Sequence, residues 1–136
     1  MCWVGVFRLQ EAQKDIEVYK VVIKDNKCYR SAYRNFPYIK GQTYHSKIIS
    51  GRRSILCSVY TAIHSYSKEL TEVNFNEKPG YRELVISNKI TYRRIDYFTN
   101  SENFPEFVIM PCIIPIGAKY CINNRGEIIS DTLKIL

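Results

Sequence analysis

The sequence lacks the residue patterns that most directly indicate a metal centre or a redox site. It has only two histidines, His45 and His64, and neither has an acidic or thiol partner at ligand spacing. The five cysteines are an odd number, widely scattered, and include no CxxC pair. Reduced thiols are therefore expected rather than a disulfide framework. We expect no metal, no cofactor and no catalytic residue of a recognisable class.

Long hydrophobic runs are also missing from the sequence. No run approaches the roughly 18 apolar residues that a membrane span requires, and the opening MCWVGVFRLQ has only a short apolar stretch, unlike a signal peptide. Internal repeats and low-complexity linkers are absent as well. The 136 residues therefore predict a single domain covering residues 1–136, located in the cytoplasm and without a membrane partner.

What the sequence does have is an uneven distribution of positive charge. Residues 1–60 contain 11 Lys and Arg against 4 Asp and Glu, whereas residues 61–136 contain 9 of each kind. The net charge of +7 therefore lies entirely in the first half. Such an asymmetry indicates an anionic partner. The candidate partners are a phosphate-bearing ligand, a nucleic acid and an acidic protein surface. The alternative is a solvated face that only keeps the protein soluble.

The pattern of β-branched and aromatic runs separated by turn residues predicts a small β-dominated α+β domain built from hairpins. The clearest hairpin is predicted near the C-terminus, where Asn123 to Gly126 separate two alternating segments and Gly126 suits a left-handed position. A second is predicted between Val18–Ile23 and Cys28–Tyr33, and a third between Leu84–Ser87 and Ile90–Ile95. One short helix is predicted from Ser67 to Val73, where a serine cap precedes two acidic residues.

Basic and aromatic residues alternate between Arg30 and His45, which is the most chemically suggestive part of the chain. Arginine forks bind phosphate groups and tyrosine rings stack on bases, so the mixture favours a nucleotide or a single-stranded nucleic acid. The alternative interpretation is a set of ordinary sheet tyrosines with solvated basic neighbours. The predicted ligand-binding residues are Arg30, Tyr33, Arg34, Tyr38, Lys40, Tyr44, His64 and Tyr66.

The segment His64-Ser65-Tyr66 is a second candidate for chemistry. A histidine beside two hydroxyl groups could donate to a bound phosphate or act as a general base, although a histidine on an apolar run is usually a core residue. Arg30, Ser65 and Glu127 also occur in the chain order of the Arg, Ser and Glu of ADP-ribosyltransferases. An enzyme of that kind is kept as an alternative.

Several phrases together resemble a loosely defined family of short proteins from phages and gut bacteria. The phrases are Met1-Cys2, Tyr19-Lys20-Val21-Val22, Tyr33 to Tyr44 with Tyr38 and Gly41, Ala62 to Tyr66, and Cys112 to Asp131. The resemblance implies a mobile or phage-derived origin. Small basic phage proteins of this sort include inhibitors that sequester the cyclic nucleotide or ADP-ribose messengers of bacterial immunity.

We therefore expect a non-catalytic protein that sequesters an anionic small molecule, most simply a nucleotide second messenger of antiviral defence. Nucleic acid is a less favoured partner, and self-association into a homo-oligomer is left open. An inhibitor that binds a host defence protein directly remains the other alternative. These expectations follow from the charge distribution and from the resemblance.

Overall fold

The computed structural model of the chain describes residues 3–6, 8–25, 28–31, 36–53, 56–67, 73–79, 81–86, 89–96 and 106–136. All regular secondary structure among these residues is β-strand, which confirms a β-rich fold. The strands are β1 (Trp3–Gly5), β2 (Gln10–Glu11), β3 (Ile16–Asp25), β4 (Cys28–Ser31), β5 (Pro37–Tyr38), β6 (Thr43–His45), β7 (Ile49–Arg53), β8 (Leu56–Thr61), β9 (Ile63–Tyr66), β10 (Val73–Lys78), β11 (Tyr81–Ile86), β12 (Lys89–Asp96), β13 (Glu106–Ile114), β14 (Lys119–Ile122), β15 (Glu127–Ser130) and β16 (Thr132–Ile135).

The short helix predicted from Ser67 to Val73 does not appear in the described part of the chain. Ser67 is outside regular structure, and residues 68–72 lie outside the described ranges. Val73 begins β10 and pairs with Ile86 of β11, so strand pairing decides the conformation at the end of the predicted helix. The local cap signal therefore does not determine the conformation of Val73. Within the described ranges, no helix is long and apolar enough to cross a membrane.

The strands form one large sheet and two small ones. The large sheet has the strand order β2-β14-β15-β9-β3-β13-β16-β6, with β4 attached to β3 and β5 attached to β4. The small sheets have the orders β1-β8-β7 and β10-β11-β12. All strand pairs in the large sheet are antiparallel.

The longest ladder of the large sheet joins β3 and β13. Its register runs from the pair Ile16–Ile114 to the pair Lys24–Glu106. Both strands are rich in Val and Ile, whose branched side chains fit a pleated surface. On the other edge of β3, β9 pairs at Tyr19 and β4 pairs from Val22 onward. The strand β3 is therefore the centre of the sheet.

A bend at Asp131 joins strands that belong to different parts of the large sheet. β15 ends at Ser130 and β16 begins at Thr132, so a single residue separates them. β15 pairs with β9, whereas β16 pairs with β13. Because β9 and β13 flank β3 on opposite edges, the bent strand closes a ring of β15, β9, β3, β13 and β16. We call the enclosed side of this ring the inner face.

Hydrogen bonds on both sides of Asp131 hold the bend. The Lys119 N–H donates to Asp131 Oδ1 at 3.0 Å, and the Asp131 N–H donates to the Lys119 carbonyl at 3.0 Å. The Thr132 hydroxyl also donates to Asp131 Oδ1 at 3.0 Å. From the other direction, the Ser46 N–H donates to the Asp131 carbonyl at 2.8 Å. The bend is thus fixed to β14 and to the segment that follows β6.

Two apolar clusters lie on opposite faces of the large sheet, because successive strand residues alternate in direction. The outer cluster joins Trp3 of β1 to Cys121 and Ile129, and the Trp3 indole N–H donates to the Glu127 carbonyl at 2.9 Å. The small sheet that contains β1 therefore packs against the outside of the large sheet. The inner cluster consists of Ala12, Val18, Val22, Ile63, Met110, Cys112, Ile114, Ala118, Ile128, Leu133 and Ile135.

The C-terminal hairpin is confirmed. Ile122 of β14 pairs with Ile128 of β15, and Gly126 adopts the left-handed φ of 76° that the turn chemistry predicted. The Asn123 side chain supports the turn, because its Oδ1 accepts the N–H groups of Arg125 at 2.9 Å and Glu127 at 3.0 Å. Local turn chemistry was sufficient to place this element.

The other hairpin predictions also hold in the described residues. β3 pairs with β4 and β11 pairs with β12, as the runs of β-branched residues indicated. The apolar start of the chain forms β1, where Trp3 is fully buried. The connecting residues 26–27 and 87–88 lie outside the described ranges.

The substitution Gly126→Val should destabilise the protein by about 1 kcal/mol or more, because a β-branched residue resists a positive φ. Denaturant unfolding followed by circular dichroism measures this change. Gly126→Asn is the matched control, since asparagine tolerates the left-handed region, and its loss of stability should be smaller. An equal loss in both variants would show that the conformation of Gly126 is not the cause.

Candidate functional site

The predicted site residues lie on two faces of the large sheet. Tyr38 and Tyr44 pack against the inner cluster, and Lys40 lies in the turn that follows Tyr38. Arg30 pairs with Ile23, next to the inward-facing Val22, so Arg30 is on the outer face. His64 and Tyr66 are on the outer face, because they pair with the outward-facing Ile129 and Glu127. The predicted site residues Tyr33 and Arg34 lie outside the described residues.

Three aromatic rings form a cluster at the edge of the inner face. The Tyr38 and Tyr44 ring centroids are 5.1 Å apart with an interplanar angle of 82°. Phe36 lies 5.2 Å from Tyr38 and 5.6 Å from Tyr44. These edge-to-face distances are favourable for aromatic pairs. The Tyr44 hydroxyl also accepts the Ile39 N–H at 2.7 Å, which holds the segment after β5 against β6.

A fourth ring and a cation extend this cluster. Tyr29 of β4 pairs directly with Tyr38 of β5, so both side chains are on the same face. The Lys40 ammonium lies 5.1 Å from the Tyr29 ring centroid, within the range of a cation–π interaction. The turn that carries Lys40 is tied to β16, because the Gly41 N–H donates to the Ile135 carbonyl at 2.8 Å. We call Tyr29, Phe36, Tyr38, Lys40 and Tyr44 the aromatic surface.

A buried lysine lies beneath the aromatic surface. Lys20 of β3 is only 7% exposed and lies between the inward-facing Val18 and Val22. Its ammonium donates a hydrogen bond to the His64 carbonyl and lies 5.1 Å from the Tyr38 ring centroid. Burial lowers the pKa of Lys20 to about 8, and the nearby Cys112 opposes this shift. No carboxylate of a described residue contributes to that pKa.

The low polarity of the inner face also shifts the pKa values of Tyr38 and Cys112, which lie near Lys20. Burial raises the pKa of Tyr38 to about 12, and Cys112 and Tyr44 add to the increase. Burial raises the pKa of the Cys112 thiol to about 11, while Lys20 acts in the opposite direction. Both groups are therefore neutral at physiological pH, and Lys20 is the charged group among them.

The alternation of the sequence indicates that Lys20 is buried. In the run Ile16–Ile23, residue 20 has the same phase as Val18 and Val22, which is the buried phase. In the charge distribution, by contrast, Lys20 is only one of the basic residues of the first half. Its burial depends on the ring closure through Asp131, which no local pattern shows.

Two residues of the enzyme alternative lie on opposite faces of the sheet. Ser65 pairs with Ile128 and therefore points to the inner face, whereas the neighbouring pair Tyr66–Glu127 points to the outer face. Arg30 lies on β4, which pairs with β3 and β5. Among the described residues there is also no group of three His, Cys, Asp or Glu side chains that could hold a metal ion.

Comparison of the chain with protein-family models, with curated proteins and with solved structures gave no match. Function must therefore be argued from the site itself.

We expect the protein to become more stable as the pH rises from about 8 to about 9. The pKa of Lys20 is about 8 in the fold against its ordinary value of 10.5, so in this interval the unfolded chain binds more protons than the folded one. Lys20 contributes a gain of about 1 kcal/mol over that pH unit, and Cys112, whose pKa rises from 9.0 to about 11 on folding, already offsets part of it, so the free energy of unfolding should increase by roughly half a kcal/mol. Chemical denaturation at a series of pH values measures it.

Above about pH 9 the free energy of unfolding should stop rising and then fall. The reason is that Cys112 and Tyr38 stay protonated in the folded protein, whereas they lose their protons in the unfolded chain. Lys20→Met is the matched variant, since methionine keeps an unbranched side chain but has no amine. It should show no rise between about pH 8 and pH 9. A rise of equal size in Lys20→Met would assign the effect to another group.

Proposed function

We propose that the protein binds an anionic ligand of the nucleotide class at the aromatic surface, without chemical change to the ligand. The observation that carries this proposal is the position of the Lys40 ammonium over the Tyr29 ring, beside the packed rings of Phe36, Tyr38 and Tyr44. A cation and several aromatic faces on one side of a sheet suit a ligand that has both a phosphate and a base.

The exposure of the aromatic surface supports binding rather than a purely structural role. Phe36 is 47% exposed although it contacts two other rings. A large aromatic side chain with that exposure retains area on which a base can stack, and such stacking contributes about 1–3 kcal/mol per base. Lys40 is exposed as well, so its ammonium can contact a ligand phosphate without first leaving the protein interior.

Charge near the aromatic surface would favour the approach of an anion. Lys24 is exposed and pairs with Tyr29, and Lys47 is exposed shortly after β6. Both belong to the basic first half, which holds the whole net charge of +7. A positive field of this kind raises the rate at which anionic ligands associate and weakens as salt increases.

The fuller form of the proposal names the ligand as a nucleotide second messenger of bacterial antiviral defence, sequestered by a phage-type protein. The support for this identity is the resemblance of the sequence to phage proteins. Cyclic nucleotides and ADP-ribose are therefore the first ligands to test, with the matching uncharged nucleosides as controls.

Lys40→Glu should weaken nucleotide binding about tenfold or more, because it replaces a phosphate-attracting charge with a repelling one. Phe36→Ala should weaken binding of nucleotides by a comparable factor, since it removes stacking area. Isothermal titration calorimetry with the ligand panel measures both effects. The wild-type affinity should also fall between about 50 mM and 200 mM salt.

Arg125→Glu is the matched control for the charge reversal, because it makes the same change in net charge. Arg125 is exposed in the turn between β14 and β15, at the end of that hairpin that lies away from Asp131. The nucleotide affinity of this variant should stay within about twofold of the wild type. Equal losses in Lys40→Glu and Arg125→Glu would mean that only the overall charge matters, and the aromatic surface would not be the site.

A further inference from the structure

We propose that the inner face contains an anion subsite, in which the Lys20 ammonium and the hydroxyl groups of Ser65 and Ser130 receive a phosphate group. The inference rests on the proposed function, because the phosphate group is taken to belong to the ligand that binds at the aromatic surface. It concerns different side chains from those of the aromatic surface, so the two proposals can fail separately.

The first reason is the unbalanced charge of Lys20. A buried ammonium is costly unless a charged or strongly polar partner compensates it. The described partners of Lys20 are a single carbonyl, that of His64, and the face of Tyr38. These groups replace only part of the hydration of an ammonium that has three donors. An anion would complete the coordination.

The second reason is a pair of serine hydroxyls on the same face. Ser65 is 1% exposed and Ser130 is fully buried. Neither side-chain oxygen has a hydrogen-bond partner among the described residues. Buried hydroxyl groups are nearly always satisfied in folded proteins, so two such groups indicate a polar partner that sits between them. A hydroxyl can donate to an oxyanion, as an ammonium does.

The register places these three groups close together. Ser65 pairs with Ile128, and Ser130 pairs with Ile63, so the two serines are diagonal neighbours on β9 and β15. In the antiparallel register next to the pair Tyr19–Tyr66, Lys20 comes opposite Ser65. The bond from Lys20 to the His64 carbonyl agrees with that position.

The spacing suits a tetrahedral oxyanion. Diagonal neighbours on one face have separations of about 7–8 Å, and directly opposite neighbours about 5 Å. A phosphate can bridge donors at this separation, because each of its hydrogen bonds spans about 2.8 Å. Ser130 lies two strands from β3, but the long Lys20 side chain extends in that direction, since its ammonium donates to the His64 carbonyl of the intervening β9.

Tyr38 connects this subsite to the aromatic surface. Its ring lies 5.1 Å from the Lys20 ammonium and 5.1 Å from the Tyr44 ring, so it contacts both parts of the site. A ligand that stacks at the aromatic surface could therefore extend its phosphate toward Lys20. Lys40 lies over the Tyr29 ring instead and would contact a different part of the ligand.

Titration of the full-length protein with inorganic phosphate tests the subsite without the aromatic part of a ligand. Lys20→Met and Ser65→Ala should each weaken phosphate binding about tenfold, because each removes a donor from a buried anion. Ser65→Ala should leave the melting temperature unchanged or slightly higher, since it removes a buried hydroxyl that has no partner among the described residues. Calorimetry and thermal unfolding measure the two quantities.

Two variants serve as controls. Ser46→Ala removes a serine hydroxyl that is bonded to the Lys47 carbonyl at 3.2 Å, and it should leave phosphate affinity unchanged. Lys40→Glu should weaken nucleotide binding but keep phosphate affinity within about threefold, because its charge lies outside the subsite. Should Lys20→Met fail to fold, Ser65→Ala alone still decides the question.

The outcomes separate the two proposals. If the wild type does not bind phosphate, or if Ser65→Ala binds it as tightly as the wild type does, the subsite is wrong and the serines face only water or side chains. Nucleotide binding that still depends on Lys40 and Phe36 would then leave the proposed function intact. Phosphate binding that requires Lys20 and Ser65, without any nucleotide binding, would instead support the subsite and overturn the proposed function.

Discussion

The bend at Asp131 is the constraint on which the rest of the structure depends. It allows one continuous segment to pair with β9 before the bend and with β13 after it. Since these two strands flank β3, the inward side chains of β3 are enclosed from both edges. The inward residues Val18, Lys20 and Val22 then lie in a low-polarity environment, whatever their chemistry. The burial of Lys20 is a direct consequence of this closure.

Burial on the inner face determines the protonation of Lys20 and of its neighbours. Lys20 is stabilised by a carbonyl and an aromatic face, which are weaker partners than a carboxylate. The loss of hydration exceeds this compensation, and the pKa of Lys20 falls to about 8. The same environment keeps Tyr38 and Cys112 protonated. A charged group therefore persists on an otherwise neutral inner face, and positive charge is concentrated beneath the aromatic surface.

The hairpins were predictable from the sequence because their signals are local. Asn123 and Gly126 determine the C-terminal turn through their own backbone preferences, and the structure shows that turn. The opposite directions of Tyr29 and Arg30 follow from strand alternation, whereas the face on which Tyr38 lies was not predictable, because it depends on how β5 pairs with β4. Arg30 and Tyr38 were expected to act together, yet the register turns Arg30 outward and Tyr38 inward. Shifting such a register by one residue would exchange the two faces.

The positive charge of the first half is consequently not one patch but three environments. Lys20 is buried, Lys40 lies over an aromatic ring at the surface, and Arg30 belongs to the outer face. Exposed charges mainly affect the rate of encounter and are screened by salt, whereas a buried charge is screened much less. For a ligand that contacts both an exposed and a buried charge, the salt dependence of binding would come from Lys40 and the neighbouring exposed lysines. Discrimination between phosphate and uncharged groups would depend instead on Lys20, because the His64 carbonyl and the Tyr38 ring compensate only part of the lost hydration of this buried ammonium.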